Sequence, residues 1–451
     1  MTKKRIFFVA LSVFGTIIIG VAAYLNSLLP IITGYAAKNL CSGVFVSGRE
    51  AEDIEAIDLN FSFIKLTNNE VDYSDKSVTS KFLWGKSKAI FREGFGATLV
   101  RDIPEAELRD LEYPVNLNPG YSQDTIKWPL GNMVPDSVTG IDINALRSIT
   151  DHLINDSGSY NGNAFAFLVL HKGIPVAEGY KPQFNMNTRF ISWSMAKSFT
   201  NALVGILVKQ GILDINSASN IEEWNDDNRK TITLNNLMQM QSGLKWNEDY
   251  GNRSDVTVML HCERDMSQYA IKNQLEYEPG TFWYYSSGTS NIISEIIRRK
   301  LNNDSLYYSF TRRQLFEKTG MPDAIIEVDP SGTMIGSSYI YATARDYARF
   351  GLLYLNDGVF NNDRILPEGW VKYTTSAASA SNGQYGSLFW LNRGKKLPSA
   401  PEDMYLCVGH DGQRIFILPT EELVVVVLGY SPSSNGGMNF DSLIKDVISA
   451  L

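Results

Sequence analysis

Residues 192–199 read Ser192-Trp-Ser194-Met-Ala-Lys197-Ser-Phe199, with a serine and a lysine three positions apart. On a helix, residues at that spacing lie one above the other, so the hydroxyl and the amine fall within reach of each other. The spacing is that of a nucleophile and its activating amine, and equally that of two polar residues sharing a helix face. Downstream, Phe199, Ala202, Leu203, Ile206 and Leu207 recur at helical intervals and Gly211 supplies a stop. This predicts a helix from Ser194 to about Gln210 with Ser194 in its first turn. Free backbone N–H groups and the positive end of the helix dipole there favour negative charge beside the serine. The plainer alternative is that Ser192 or Ser194 only caps the helix.

Working outward, Ala164–Tyr180 contains two strand-like runs around Lys172-Gly173, a hairpin signal. Near the other end, Arg414–Pro419 and Leu423–Ser431 form a second pair around Thr420-Glu421-Glu422, followed by an amphipathic stretch from Phe440 to Leu451. Asp142–Ile154 has helical spacing, and the chain between the two strand pairs reads as mostly helical. Strands at both ends with helices between them predict an α+β body whose sheet is closed by distant segments.

Two further stretches matter: Pro279–Asn291, with Tyr285-Ser286-Ser287 ahead of a helix, and Val408–Pro419, with His410-Asp411-Gly412 ahead of a strand. Together with Ser194-x-x-Lys197 they resemble, in order and spacing, the three active-site motifs of serine β-lactamases and penicillin-binding proteins. The match is to the class C β-lactamase-like serine hydrolases, a group that also holds esterases and 6-aminohexanoate-oligomer hydrolases. The resemblance covers roughly residues 135–451, including Leu237–Tyr250 and Ser337–Leu355. It implies a β-lactamase/transpeptidase-like fold, an antiparallel sheet flanked by helices with a mostly helical subdomain and the site between them. It also implies roles: Ser194 as acylated nucleophile, Lys197 with Tyr285 as its proton-transfer pair, and Ser287 as hydrogen-bond partner of the lysine. The oxyanion would be held by the backbone N–H groups of Ser194 and of Gln413, just past Gly412. The chemistry agrees, since a serine hydroxyl needs a base and the oxyanion needs preorganised donors; a phenol can serve in proton transfer where neighbouring cations lower its pKa. In this chain His410 stands where β-lactamases carry a lysine, and Ser287 where many carry asparagine. Both changes occur in esterase and amidase relatives, so efficient β-lactam hydrolysis is not expected.

The chain has 451 residues, 44% of them hydrophobic and 20% charged, ordinary for a globular protein. A net charge of -8 with no Lys/Arg cluster beyond the terminus argues against nucleic acid as partner. Lys3-Lys4-Arg5 precede an uncharged run from Ile6 to Leu25, close to the roughly 20 residues that cross a bilayer. The basic flank places the chain beyond Leu25 on the outer side, periplasmic or extracellular. A retained anchor is the favoured reading; a cleaved signal with a site near Val21-Ala22-Ala23 is the alternative. Three segments are expected: 1–35 as anchor or signal, 36–134 as an accessory segment ending in turn-rich Pro114–Gly120 and Trp128–Asn132, and 135–451 as the hydrolase domain. The three cysteines, Cys41, Cys262 and Cys407, permit one disulfide of unreadable pairing. The four histidines lack ligand spacing, so no metal site is expected, and acyl-enzyme chemistry calls for no organic cofactor. The expectation is a membrane-anchored serine hydrolase acting on an ester or amide of a small molecule or short peptide. A D-alanyl-D-alanine peptidase, a β-lactamase or a non-turnover penicillin-binding sensor is the alternative.

Overall fold

The valine-rich stretch Leu423–Gly429 is buried from Leu423 to Leu428, the mark of a strand covered on both faces. Its side chains alternate between two cores: Val424, Val426 and Leu428 join one, Leu423, Val425 and Val427 the other. The computed structural model describes residues 3–117, 122–135, 140–156 and 158–451; Pro119-Gly120 of the turn-rich stretch lies outside them. The valine strand is central to a six-stranded sheet in the order Trp390–Leu391, Tyr405–Val408, Arg414–Leu418, Leu423–Gly429, Ala164–His171, Ile174–Tyr180. Every pairing in it is antiparallel, and Val425 stands opposite both Phe416 and Val169. A C-terminal strand therefore closes the sheet against the first strand of the hairpin, as the sequence predicts. Lys172 (φ +52°) and Gly173 (φ +77°) form that hairpin's two-residue turn in the left-handed region that such loops use.

The helices Ile143–Asn155 and Phe440–Ser449 cover one face of the sheet. Asp142 caps the first, its carboxylate accepting from the Ala145 N–H at 3.0 Å. Behind the other face runs the helix Ala196–Lys209, preceded by one 3₁₀ turn, Trp193–Met195. The sequence pattern predicts a single apolar stripe for it, yet every residue from Ala196 to Leu207 is buried, because other helices enclose it: Ser287–Leu301 packs against it, and Phe199 stacks on Phe350 of the helix Ala344–Leu355, which itself lies on the sheet, with ring centroids 3.7 Å apart. Its polar side chains are satisfied inside: Asn201 donates to Ser387 O at 2.8 Å and accepts from Tyr354 Oη (2.6 Å) and Trp370 Nε1 (2.8 Å).

At the N-terminus a single helix spans Lys3–Phe45, the one helix among the described residues long and apolar enough to cross a membrane. Its first half is bare: Phe7, Phe14, Ile19 and Tyr24 are all more than half exposed. From Leu29 onward most of it is buried, with Ala36, Ala37, Leu40 and Cys41 packed on a four-stranded antiparallel sheet. That sheet runs Asn68–Asp72, Ser77–Phe82, Gly85–Arg92, Gly96–Leu99 in spatial order. Lys38 of the helix forms a buried ion pair with Glu327, whose carboxylate also accepts from Ser42 Oγ (2.9 Å) and the Ala97 N–H (2.7 Å). One buried carboxylate thus joins the helix, the small sheet and the larger body. Cys41, Cys262 and Cys407 are all free thiols.

Candidate active site

Ser194 is held by the turn before it. The backbone N–H of Ser192 donates to Ile340 O at 2.7 Å, and Ser192 Oγ accepts from the Ile340 N–H at 3.0 Å. Ser192 is therefore stitched to a neighbouring strand and makes no side-chain cap. Trp193 comes next in the left-handed region at φ +44°, a strained conformation that places Ser194 at the head of the buried helix.

One turn on, Lys197 Nζ donates to Ser194 Oγ (3.0 Å), Ser287 Oγ (3.0 Å) and Ser337 O (2.9 Å). Burial lowers its pKa to about 8, opposed by the attraction of Glu248. A substantial share of the amine is then neutral in mildly alkaline solution and can accept the serine proton. Ser287 opens the helix Ser287–Leu301, but the cap is Ser286, whose Oγ accepts from the Thr289 N–H at 3.0 Å. Ser287 is left to face the lysine.

Glu248 was not singled out from sequence. Its carboxylate accepts from Ser287 Oγ (2.5 Å), Ser287 N (2.9 Å), Trp246 Nε1 (2.5 Å) and Tyr250 Oη (2.9 Å). It thus sits one hydroxyl away from Lys197. Trp246, Glu248 and Tyr250 alternate along the chain, and the indole and the phenol both donate to the carboxylate between them.

Tyr285 lies with its ring centroid 4.8 Å from Lys197 Nζ and its phenol in hydrogen-bonding reach of Ser194. Burial, then Glu248, raise its pKa well above the ordinary value, against weaker pulls from Ser194 and Arg414. Neighbouring cations do not prevail here, so the phenol is held in its protonated form and is able to donate a hydrogen bond.

The third motif forms a tight turn, with Asp411 at φ +53° and Gly412 at φ +96°. A side chain at Gly409 would come within 2.2 Å of Ser192 O, so glycine allows this loop to pass against the residue before the tryptophan. Gln413 is buried and clamped to Gly429 through both ends of its amide, Nε2 to O at 2.6 Å and Oε1 from N at 2.9 Å. Its own N–H meets His410 O at a long 3.4 Å, a geometry open to a better acceptor. His410 stacks on Tyr250 (5.4 Å, 25°) and meets Trp193 edge-on at 5.8 Å. Arg414, whose pKa burial lowers to about 10, donates to Gly409 O (2.6 Å) and Gln413 O (2.7 Å).

A cleft of about 340 Å³ opens here, lined by Ser194, Tyr250, Tyr285, His410, Gly412 and Arg414 among others. Lys197 and Ser287 lie directly behind Ser194, and Gln413 is continuous with the loop at the rim. All seven residues named from sequence are thus neighbours. Among the described residues no group of three His, Cys, Asp or Glu side chains is placed to hold a metal ion.

Comparison with known proteins agrees with this architecture. A 6-aminohexanoate-dimer hydrolase from Paenarthrobacter ureafaciens is 24% identical over 294 residues, 59% of this chain and 72% of that protein. The solved structure of a putative 6-aminohexanoate-dimer hydrolase from Bacillus anthracis has a TM-score of 0.58 at 21% identity, covering 72% of this chain and 88% of its own. A family VIII carboxylesterase has a TM-score of 0.54 at 15% identity, covering 70% and 99%. The Beta-lactamase family model matches residues 150–444, well over half the chain. With that match, and a fold shared with these hydrolases, the chain belongs to the Beta-lactamase family.

Proposed function

We propose that this protein is a membrane-anchored serine hydrolase that forms an acyl-enzyme at Ser194 on an ester or amide of a small molecule or short peptide. The observation that carries this is the Lys197 amine, buried, lowered in pKa and held 3.0 Å from both Ser194 Oγ and Ser287 Oγ. Neutral Lys197 takes the Ser194 proton as Oγ attacks the carbonyl carbon. The oxyanion is received by the N–H groups of Ser194 and Gln413. On collapse the C–O or C–N bond breaks, and the proton passes through Lys197 and the protonated Tyr285 to the leaving group. Water, deprotonated by the same pair, then releases the acid and restores Ser194. Glu248 orients Ser287 and biases the charge on Lys197. The relatives named as a 6-aminohexanoate-dimer hydrolase and a carboxylesterase support this substrate class.

The test is a panel of a neutral p-nitrophenyl ester, a neutral anilide and a penicillin. The expected order puts ester or anilide ahead of penicillin, and a kcat/KM highest for penicillin would reject the substrate assignment. His410→Lys is expected to raise the penicillin-to-ester ratio of kcat/KM by placing a fixed cation at the rim, with part of the gain lost with the stacking on Tyr250. An unchanged ratio would mean that His410 does not face substrate.

The exposed apolar half of the N-terminal helix supports the anchor. The full-length chain is expected to sediment with membranes and its hydrolase domain to be cut by protease added from the outer side. A soluble form with an intact N-terminus would overturn that.

A further inference from the structure

We infer that the small N-terminal sheet carries a second membrane contact: the Leu83-Trp84 hairpin tip, with Phe63 and Leu66 beside it, sits in the headgroup layer of the bilayer. This rests on the reading of the N-terminal helix as a membrane anchor.

The geometry starts from where the bare part of that helix ends. The uncharged run closes at Leu25, and Trp84 Nε1 donates to Asn26 Oδ1 at 3.1 Å. The indole is therefore pinned at the level where the helix leaves the apolar layer, the depth that tryptophan favours. The hairpin is seated closely on the helix, since a side chain at Gly85 would come within 2.6 Å of Leu29 Cβ. Register puts the other apolar residues at the same end. Asn68 pairs with Lys81 and Phe82 with Gly85, so Leu66, two residues before Asn68, lies beside the tip. Phe63 meets Phe82 with ring centroids 6.4 Å apart.

These side chains have no protein cover: Leu83 is 62%, Trp84 58%, Phe63 55% and Leu66 55% exposed. Four large apolar groups at one end of a small sheet form a patch that water penalises and a bilayer interface accommodates. Lys65 and Lys86 are exposed around them, and opposite Lys86 across the hairpin stands Lys81, 3.7 Å from the Glu70 carboxylate. A cationic rim around an apolar tip fits anionic phospholipid headgroups. The consequence reaches the cleft. Tyr35 stacks at 6.3 Å on Trp193, the residue before Ser194, and stands ten helical residues beyond Leu25, roughly 15 Å along the axis. Helix and tip together give two points of attachment that fix how the cleft faces the membrane surface, where one helix alone would leave the body free to swivel.

Tryptophan emission reads this directly, because the protein's eight tryptophans include none in Lys3–Phe45 and only Trp84 in the small sheet. The full-length chain is reconstituted into phosphatidylcholine–phosphatidylglycerol vesicles whose acyl chains carry bromine close to the headgroup, a short-range quencher. Wild type is expected to be quenched relative to unbrominated vesicles, and Trp84→Phe to lose nearly all of that quenching. Equal quenching in both proteins, or none in wild type while the chain floats with the vesicles and resists alkaline extraction, overturns the second contact and leaves the anchor standing. A chain that does not float with the vesicles overturns the anchor and the inference together.

Discussion

Lys197→Ala is expected to lower kcat/KM by roughly 10²–10⁴-fold, the scale of losing general-base assistance at a nucleophile. The pH profile distinguishes this from a packing defect. Because burial brings the amine to about 8, its neutral form grows as pH rises, so wild-type kcat/KM should climb through about pH 8. In Lys197→Ala that acid limb should vanish. Glu248 raises the Lys197 value by attraction, so Glu248→Gln should move the limb to lower pH. A Lys197→Ala profile that keeps the same limb would show that another group is the base. Combining Lys197→Ala with Ser194→Ala should cost little beyond Ser194→Ala alone, as expected for residues acting as one unit.

Lys38→Met is expected to be the most disruptive single change outside the cleft, destabilising by about 3–5 kcal/mol, the range for breaking a buried ion pair from one side. Glu327 is fully enclosed, and burial already raises its pKa against the opposing pull of Lys38. Without the lysine the carboxyl must take up a proton or remain an uncompensated charge. Lys38→Met with Glu327→Gln should recover much of the loss, since the amide still accepts from the Ala97 N–H and the Ser42 hydroxyl. Chemical unfolding of the three proteins is the measurement. A Lys38→Met variant as stable as wild type would mean that the pair does not hold the helix to the body.

Much of this was legible because short-range chemistry and long-range structure agree. Lys172-Gly173 names its own turn, and the unbroken apolar run from Leu423 to Leu428 names a strand; that both its faces are covered comes from the packing of distant segments. The three motifs were readable because each sits where an element begins, at a helix start or a turn before a strand, where local rules are strongest. Other features were not legible, for physical reasons. The sheet from Asn68 to Leu99 opens on Asn-Asn-Glu-Val-Asp, a polar edge strand without a clear apolar face, and it finds its core only by packing on the helix. That helix carries Pro30 five residues after its apolar run ends, a local stop signal, yet it continues to Phe45 because its small residues Ala36 and Ala37 fit against the sheet. Glu248 stands 54 residues after the serine in a turn-rich stretch, and nothing local tells that folding brings it beside Ser287.

The acyl-enzyme itself gives the most direct test. The full-length protein, treated with a fluorophosphonate and characterised by intact mass and peptide mapping, should gain a single adduct on the peptide carrying Ser194, with matching loss of ester turnover. Ser194→Ala, folded as judged by its unfolding curve, should gain none and turn over no ester. An adduct on any other residue, or turnover that persists in Ser194→Ala, would contradict the assignment of Ser194 as the nucleophile.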